Sequence, residues 1–290
     1  MEREPVRAGS FYPANPDTLQ SEIKRAFTGK LGPGTLPGDS GKGRTIRGAV
    51  VPHAGYAYSG AVASWVYSRL IDDGIPTTFV IAGPNHTGLG KPVSVYPSGR
   101  WLTPLGAIQI DSQLAEAVIA GGGGESDTSG HLQEHSIEVQ LPFLQFIADD
   151  FKIVPICMRD QSMDQAEALG KAVAQAARKL DRDIVFLASS DFTHAGLWYM
   201  QIPPSGQRVD QFARQQDHKA IDQIMALKPD GLLTTVDKHN ISMCGYGCVA
   251  AMLVFAGESG GSRAELLKYA TSYDISPDDA AVGYAAILVT

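Results

Sequence analysis

Three apolar, strand-like runs in this chain each end in a polar loop that carries a histidine. They are AVVPHAGYAYSG with His53, FVIAGPNHTG with His86 and IVFLASSDFTHAG with His194. A fourth loop, HNISMCGYGCVA, presents Cys244. In α/β proteins ligands gather just beyond the carboxyl ends of strands, so residues far apart in sequence are expected to converge on one polar pocket. Two or three imidazoles plus a thiolate make a metal-site inventory. Taken alone, His53 would read as a ring satisfied by one backbone carbonyl. The repeat of its setting at Gly83-Pro84-Asn85-His86 is what argues for a shared site.

The segment Ser189-Ser190-Asp191-Phe192-Thr193-His194 places a carboxylate three residues before an imidazole. Asp191 is expected either to orient the ring of His194 or to bond its own backbone in an Asx-type turn. Histidine titrates near neutrality and suits acid/base work, which makes His194 the candidate proton carrier. Ser190 invites a Ser-His-Asp hydrolase, but it does not stand in a G-x-S-x-G elbow. Cys244 precedes an expected helix, whose N-terminus would lower its thiol pKa. Cys248 and Cys157 have apolar neighbours and read as core. His131-Leu132-Gln133-Glu134-His135 matches the H-x-x-E-H pattern of inverted zinc peptidases, a short and weakly specific match. Glu134, His135 and Glu138 would otherwise support the metal-binding histidines from behind. Phe11, Tyr12, Tyr56, Tyr58 and Trp101 sit in loop-like segments and are candidate pocket walls.

These residues need strands and helices to position them. The hydrophobic pattern predicts a helix from Asp17, as N-cap, through Phe27, then a loose loop over Gly29–Gly43. Strands are expected at 46–51, 77–82, 93–96, 107–110, 151–157, 184–188, 266–272 and 284–289. Helices are expected at 60–70, 111–120, 134–147 with Pro142 kinking or delimiting it, 164–180, 209–227 and 245–255. Strands alternating with helices imply an α/β fold, a central mostly parallel or mixed sheet with helices on both faces. With no internal repeat and no composition break, residues 1–290 read as a single domain.

Composition sets the outer limits. The chain is 44% hydrophobic and 19% charged, which suits a globular protein with a large core. Its net charge of -7, without a basic cluster, argues against nucleic-acid binding. Three cysteines make an odd, sparse set, which argues against a disulfide framework and favours a reducing compartment. The N-terminus lacks an apolar signal segment and no run reaches membrane-span length, so a cytoplasmic, non-membrane protein is expected. The apolar content is compatible with a homodimer.

The chain resembles the MEMO family, whose prokaryotic members are also called AmmeMemoRadiSam system protein B. The resemblance rests on segments that run in family order over nearly the whole chain: residues 7–13 (RAGSFYP), 52–56 (PHAGY), 83–86 (GPNH), 101–106 (WLTPLG), 134–142 (EHSIEVQLP), 189–194 (SSDFTH) and Cys244-Gly245. It implies a fold similar to the LigB-like class III extradiol dioxygenases, which hold Fe(II) with two histidines and a carboxylate. By that analogy His53, His86 and Cys244 are the metal ligands, with the cysteine where the carboxylate would stand. His194 resembles the acid/base histidine, with Asp191 and His135 beside the site. Iron(II) is the expected metal, with copper or zinc as alternatives that sulfur also suits. The implied function is a non-haem iron oxidoreductase acting with O₂ on a small aromatic molecule. The alternative is a non-catalytic module that binds a peptide or small ligand in the same pocket, and a third reading is a zinc hydrolase built on His131, Glu134 and His135.

Overall fold

The computed structural model describes residues 1–38, 41 and 43–290. In chain order the strands are β1 (Glu2–Arg3), β2 (Gly48–Val51), β3 (Thr78–Pro84), β4 (Val93–Val95), β5 (Arg100–Thr103), β6 (Gly106–Ile110), β7 (Glu125–Ser126), β8 (Lys152–Met158), β9 (Ile184–Ser189), β10 (His194–Gly196), β11 (Ala264–Thr271) and β12 (Ala280–Val289). The helices are α1 (Pro16–Thr28), α2 (Ala61–Asp73), α3 (Ser112–Ala120), α4 (Leu141–Ile147), α5 (Met163–Lys179), α6 (Val209–Met225), α7 (Pro229–Lys238) and α8 (Tyr246–Glu258). The strands join in the order β1-β5-β6-β8-β3-β9-β2-β12-β10, with β11 on β12 and β4 on β8. The middle of the sheet, β6-β8-β3-β9-β2, is parallel, and β12 closes it antiparallel. This is a single-domain α/β fold with a mixed sheet flanked by helices.

Alternation along the strands builds two cores. Val50, Val80, Val154, Phe186 and Ile287 face one way, toward α3, α5 and α8. Ala49, Val51, Ile81, Leu187 and Leu288 face the other, toward α1, α2 and α4. Every one of these is buried, and each large aliphatic side chain so placed contributes about 1.5–3 kcal/mol relative to exposure. Pro155 lies inside central strand β8, where a missing N–H would normally break a ladder. It falls in the gap where β8 changes partner on that side, from β6 at residues 152–153 to β4 at residues 156–158.

Several expectations are corrected. The cap of α1 is Asn15, whose side chain accepts from the Thr18 backbone N–H, and Asp17 lies in the first turn. Residues 134–137 are not helical. Pro142 stands in the first turn of α4, where its fixed φ and absent N–H fit a helix start. Strand β5 and helix α7 were not anticipated. In the loop after α1, the Trp65 indole N–H donates to the Leu31 carbonyl, while Asp39, Ser40 and Lys42 lie outside the described residues.

Candidate metal centre

Strands β3, β9 and β2 are adjacent and parallel, so their carboxyl ends open on one side. His53 follows β2 by two residues, His86 follows β3 by two, and Asp191 follows β9 by two. Imidazole nitrogens of His53, His86 and His135 all lie within 4.8 Å of one another. His86 and His135 stack at 4.8 Å, and His53 meets His86 edge-on at 5.3 Å.

The tautomer of His53 follows from its buried surroundings. The Gln140 amide donates to the Pro52 carbonyl and to Ser189 Oγ, while its oxygen accepts from Tyr67. Ser189 spends its only proton on the Ser136 carbonyl. Toward His53 Nδ1, 2.9 Å away, Ser189 Oγ can therefore only accept. Nδ1 carries the proton, and Nε2 keeps its lone pair. Burial first, and the neighbouring His86 and His135 next, push the pKa of His53 well below the ordinary histidine value. The ring is neutral, the form that binds metals.

His86 is wired in the same way by another group. Its Nδ1 lies 2.9 Å from Glu134 Oε1, and its backbone N–H donates to Glu134 Oε2. The same Oε1 accepts the backbone N–H groups of His135 (2.8 Å) and Ser136 (2.9 Å). Burial opposes ionisation of Glu134, but the hydrogen bond and charge of His86, with His135, hold it well below the usual carboxylate range. An ionised carboxylate only accepts, so Nδ1 of His86 carries a proton and Nε2 is the nitrogen left for a metal. Burial disfavours the charged form of His86, yet the Glu134 hydrogen bond outweighs it and raises its pKa. His135 is pushed down to about 4, chiefly by burial against the pull of Glu134. Metal-binding histidines usually hold their second nitrogen on such a partner.

Cys244 stands two residues before α8, and its Sγ lies 3.2 Å from His53 Nε2. Sγ also accepts the Asp191 backbone N–H at 3.2 Å. It lies outside the group of three imidazoles. The expected lowering of its pKa is reversed: burial, and then the Asp191 carboxylate, push the thiol up. A bound cation would invert that balance, because a coordinating thiol is deprotonated outright.

Asp191 meets neither sequence expectation. Its Oδ1 accepts the backbone N–H of His53 at 2.7 Å, tying the end of β9 to the loop after β2. Burial raises its pKa, with His194 pulling the other way. The His194 ring donates from Nδ1 to the Ser242 carbonyl instead, at 3.1 Å, and so presents Nε2 as an acceptor. His131 is turned away into the core. It contacts the Ser94 carbonyl through Nε2 and packs edge-on to Tyr96 and Trp101. The three-residue turn at 129–131 is not continuous with a helix through His135, so H-x-x-E-H forms no common helical face. Glu134 is committed to N–H donors, which removes the base that a zinc hydrolase there would need.

A cavity of about 550 Å³ is lined by His53, His86, His135, Asp191 and His194 and walled by Phe11, Tyr58, Tyr199 and Tyr284. Tyr12, Tyr56 and Trp101, also named as possible walls, are buried in the core instead. Sequence reading missed Ser189, Gln140 and Tyr67, the chain that sets the His53 tautomer. It also missed Arg3, fully buried, which pairs with Glu138 at 2.8 Å and donates from Nε to the His131 carbonyl. Glu138 in turn accepts from Tyr12 and from the backbone of Val6 and Arg7. The N-terminal segment therefore clamps the loop that carries Glu134 and His135.

Residues 3–288 match the family model described as Memo-like protein. The chain belongs to the Memo family. A MEMO1 family protein of Methanopyrus kandleri is 45% identical over 291 residues, covering 99% of each chain. One from Methanothermobacter thermautotrophicus is 44% identical over 287 residues, covering 98% of this chain and 99% of the relative. The crystal structure of an uncharacterized Escherichia coli K12 protein superposes with a TM-score of 0.53 at 12% identity, over 85% of this chain and 100% of that one. That likeness is one of fold. The Memo family shares the LigB fold, and the α/β architecture expected from the sequence is the one observed. No helix among the described residues is long and apolar enough to cross a membrane.

Proposed function

We propose that this Memo family chain holds one redox-active metal, iron(II) first, at His53, His86 and Cys244 with His135 beside them. On this reading it is a dioxygenase-like oxidoreductase for a small aromatic molecule. The observation that carries the reading is the wiring of two imidazoles, each with Nδ1–H on a fixed acceptor, which leaves Nε2 as the nitrogen for a metal. The thiol meets this centre at His53, although it stands outside the imidazole group. Donors held about 2.1 Å (nitrogen) and 2.3 Å (sulfur) from one cation, at roughly 90–110°, lie about 3.1–3.6 Å apart, and His53 Nε2 and Cys244 Sγ are 3.2 Å apart.

When bound, such a metal supplies a Lewis acid with redox capacity, and the thiolate makes copper and zinc competitors of iron. The chain's own part is to orient and to move protons. Asp191 fixes the backbone at His53, and Phe11 packs edge-on to His135 at 4.8 Å. His194, with Nδ1–H on the Ser242 carbonyl, turns Nε2 to proton exchange with a ligand in the cavity.

Elemental analysis of protein purified without oxygen or chelators tests this, beside Cys244→Ser, His53→Ala, His86→Ala and His135→Ala. Near-stoichiometric iron that is lost in the His53, His86 and Cys244 variants is the expected result. Full metal retention in all of them overturns the ligand set. Metal or ligand binding with no oxygen consumption on any catechol would instead leave the pocket as a binding module.

A further inference from the structure

The walls of the metal pocket are unbalanced in charge. Among the described residues two carboxylates, Asp191 and Asp278, line it, and no lysine or arginine does. Asp191 is committed to the backbone at His53. Asp278 is not committed: one oxygen accepts the Asp279 backbone N–H at 2.7 Å, and no cationic side chain pairs with it among the described residues. It enters from the loop that leads into β12, which lies across β2 from the His86 side of the sheet. Between these ends stand Phe11, Tyr58, Tyr199 and Tyr284. Tyr58 and Tyr199 are 45% and 41% exposed, so their rings are open to a ligand. Aromatic faces beside a free carboxylate suit an organic cation, through cation–π attraction and an ion pair. The net charge of -7 draws cations toward the molecule and repels anions.

We propose that the pocket takes an aromatic amine, with its ammonium group at Asp278 and its ring directed at the histidines. This deepens the functional reading above and rests on that pocket being the working site. The class it selects against is the aromatic acid, whose carboxylate would meet the like charge of Asp278.

Calorimetry with three probes of one shape tests it: phenethylamine, 2-phenylethanol and 3-phenylpropanoate, on the full chain as purified and on His53→Ala. The amine should bind about tenfold tighter than the alcohol, and the acid weakest. Asp278→Asn should bring the amine down to the level of the alcohol, whereas Asp279→Asn should keep the preference. Equal binding of amine and alcohol, binding of none of the three, or a preference that survives in Asp278→Asn overturns the proposal. Loss of the preference in Asp279→Asn as well would show a general field in place of a site, and overturns it too. Amine selectivity that persists while the His53, His86 and Cys244 variants all keep their metal would sink the metal reading alone. Metal lost in those variants without amine selectivity would sink this one alone.

Discussion

Replacing Glu134 by Gln separates two roles for this buried carboxylate. In the structure it is an orienting acceptor: Oε1 takes His86 Nδ1–H and the backbone N–H groups of His135 and Ser136, and Oε2 takes the backbone N–H of His86. Gln keeps one oxygen for three of these donors but turns an NH₂ toward the fourth. Charge-assisted bonds are worth about 1.5–3 kcal/mol and neutral ones about 0.5–1.5, and an unpaired buried N–H costs about 1–3. The sum, discounted for non-additivity, is a loss of about 3–5 kcal/mol, against a typical total of about 5–15. Glu134 has a depressed folded-state pKa, so its stabilisation is complete above the unfolded carboxylate value and is lost as pH falls through the folded one. The gap between wild type and variant should therefore be full at neutral pH and narrow below about pH 4. Urea denaturation reads that gap, and competition with a chromophoric chelator reads the metal. Loosening the partner of a ligating histidine should cost about 10–100-fold in metal affinity. A variant that binds metal as tightly as wild type and loses only turnover would behave as if Glu134 were a catalytic base, and would refute the reasoning.

Two further substitutions probe the same framework. Ser189→Ala leaves His53 Nδ1–H without its acceptor and the buried Ser136 carbonyl without its donor, with a stability loss of about 2–4 kcal/mol. A change below about 0.5 kcal/mol in urea, at unchanged m, would show that the tautomer assignment is wrong. Asp217 is buried, accepts from the Thr193 backbone and Tyr269, and has its carboxyl pushed up by burial to about 6. A raised carboxyl gives stability that is present below the unfolded value near 4 and lost as pH rises through 6, about 3 kcal/mol in all. Urea midpoints at pH 4.5 and 7.5 should show that slope in wild type and lack it in Asp217→Asn; the same slope in both would place its origin elsewhere.

The strand-loop-histidine pattern made His53 and His86 legible because a buried apolar run followed by a polar turn says which end of a strand faces the ligand. The helix expected at 134–147 was misplaced for a local reason. Glu134 bonds the N–H groups of the two residues that follow it, and a side chain that satisfies backbone donors competes with a helical turn. That loop swings His135 back onto His86, where it joins the imidazole group and does not merely support it. Arg3 carried no periodic signal, and its partner lies 135 residues away. Helix α7 did leave a signal, Pro229 in its first turn, the position where proline favours a helix start. Cys244 lies beside His53, and the pKa direction expected of it is reversed because burial, with the Asp191 carboxylate near, outweighs a nearby helix start.

Strand order explains why His53 and His86 are held so similarly by different residues. Because β9 lies between β3 and β2, the residues at its end must touch the loops of both neighbours. Ser189 and Asp191, two apart, reach His53 at its ring nitrogen and at its backbone N–H. Glu134 does both for His86 with its two oxygens. Fixing backbone and ring together leaves each imidazole little freedom to move, which is how a site is preorganised. The two halves also meet: Ser189 donates to the Ser136 carbonyl, and Ser136 donates its backbone N–H to Glu134. A disturbance of either histidine's partner is therefore felt by the other, and the stiffness of the metal face extends through Glu138 to Arg3 at the chain's start.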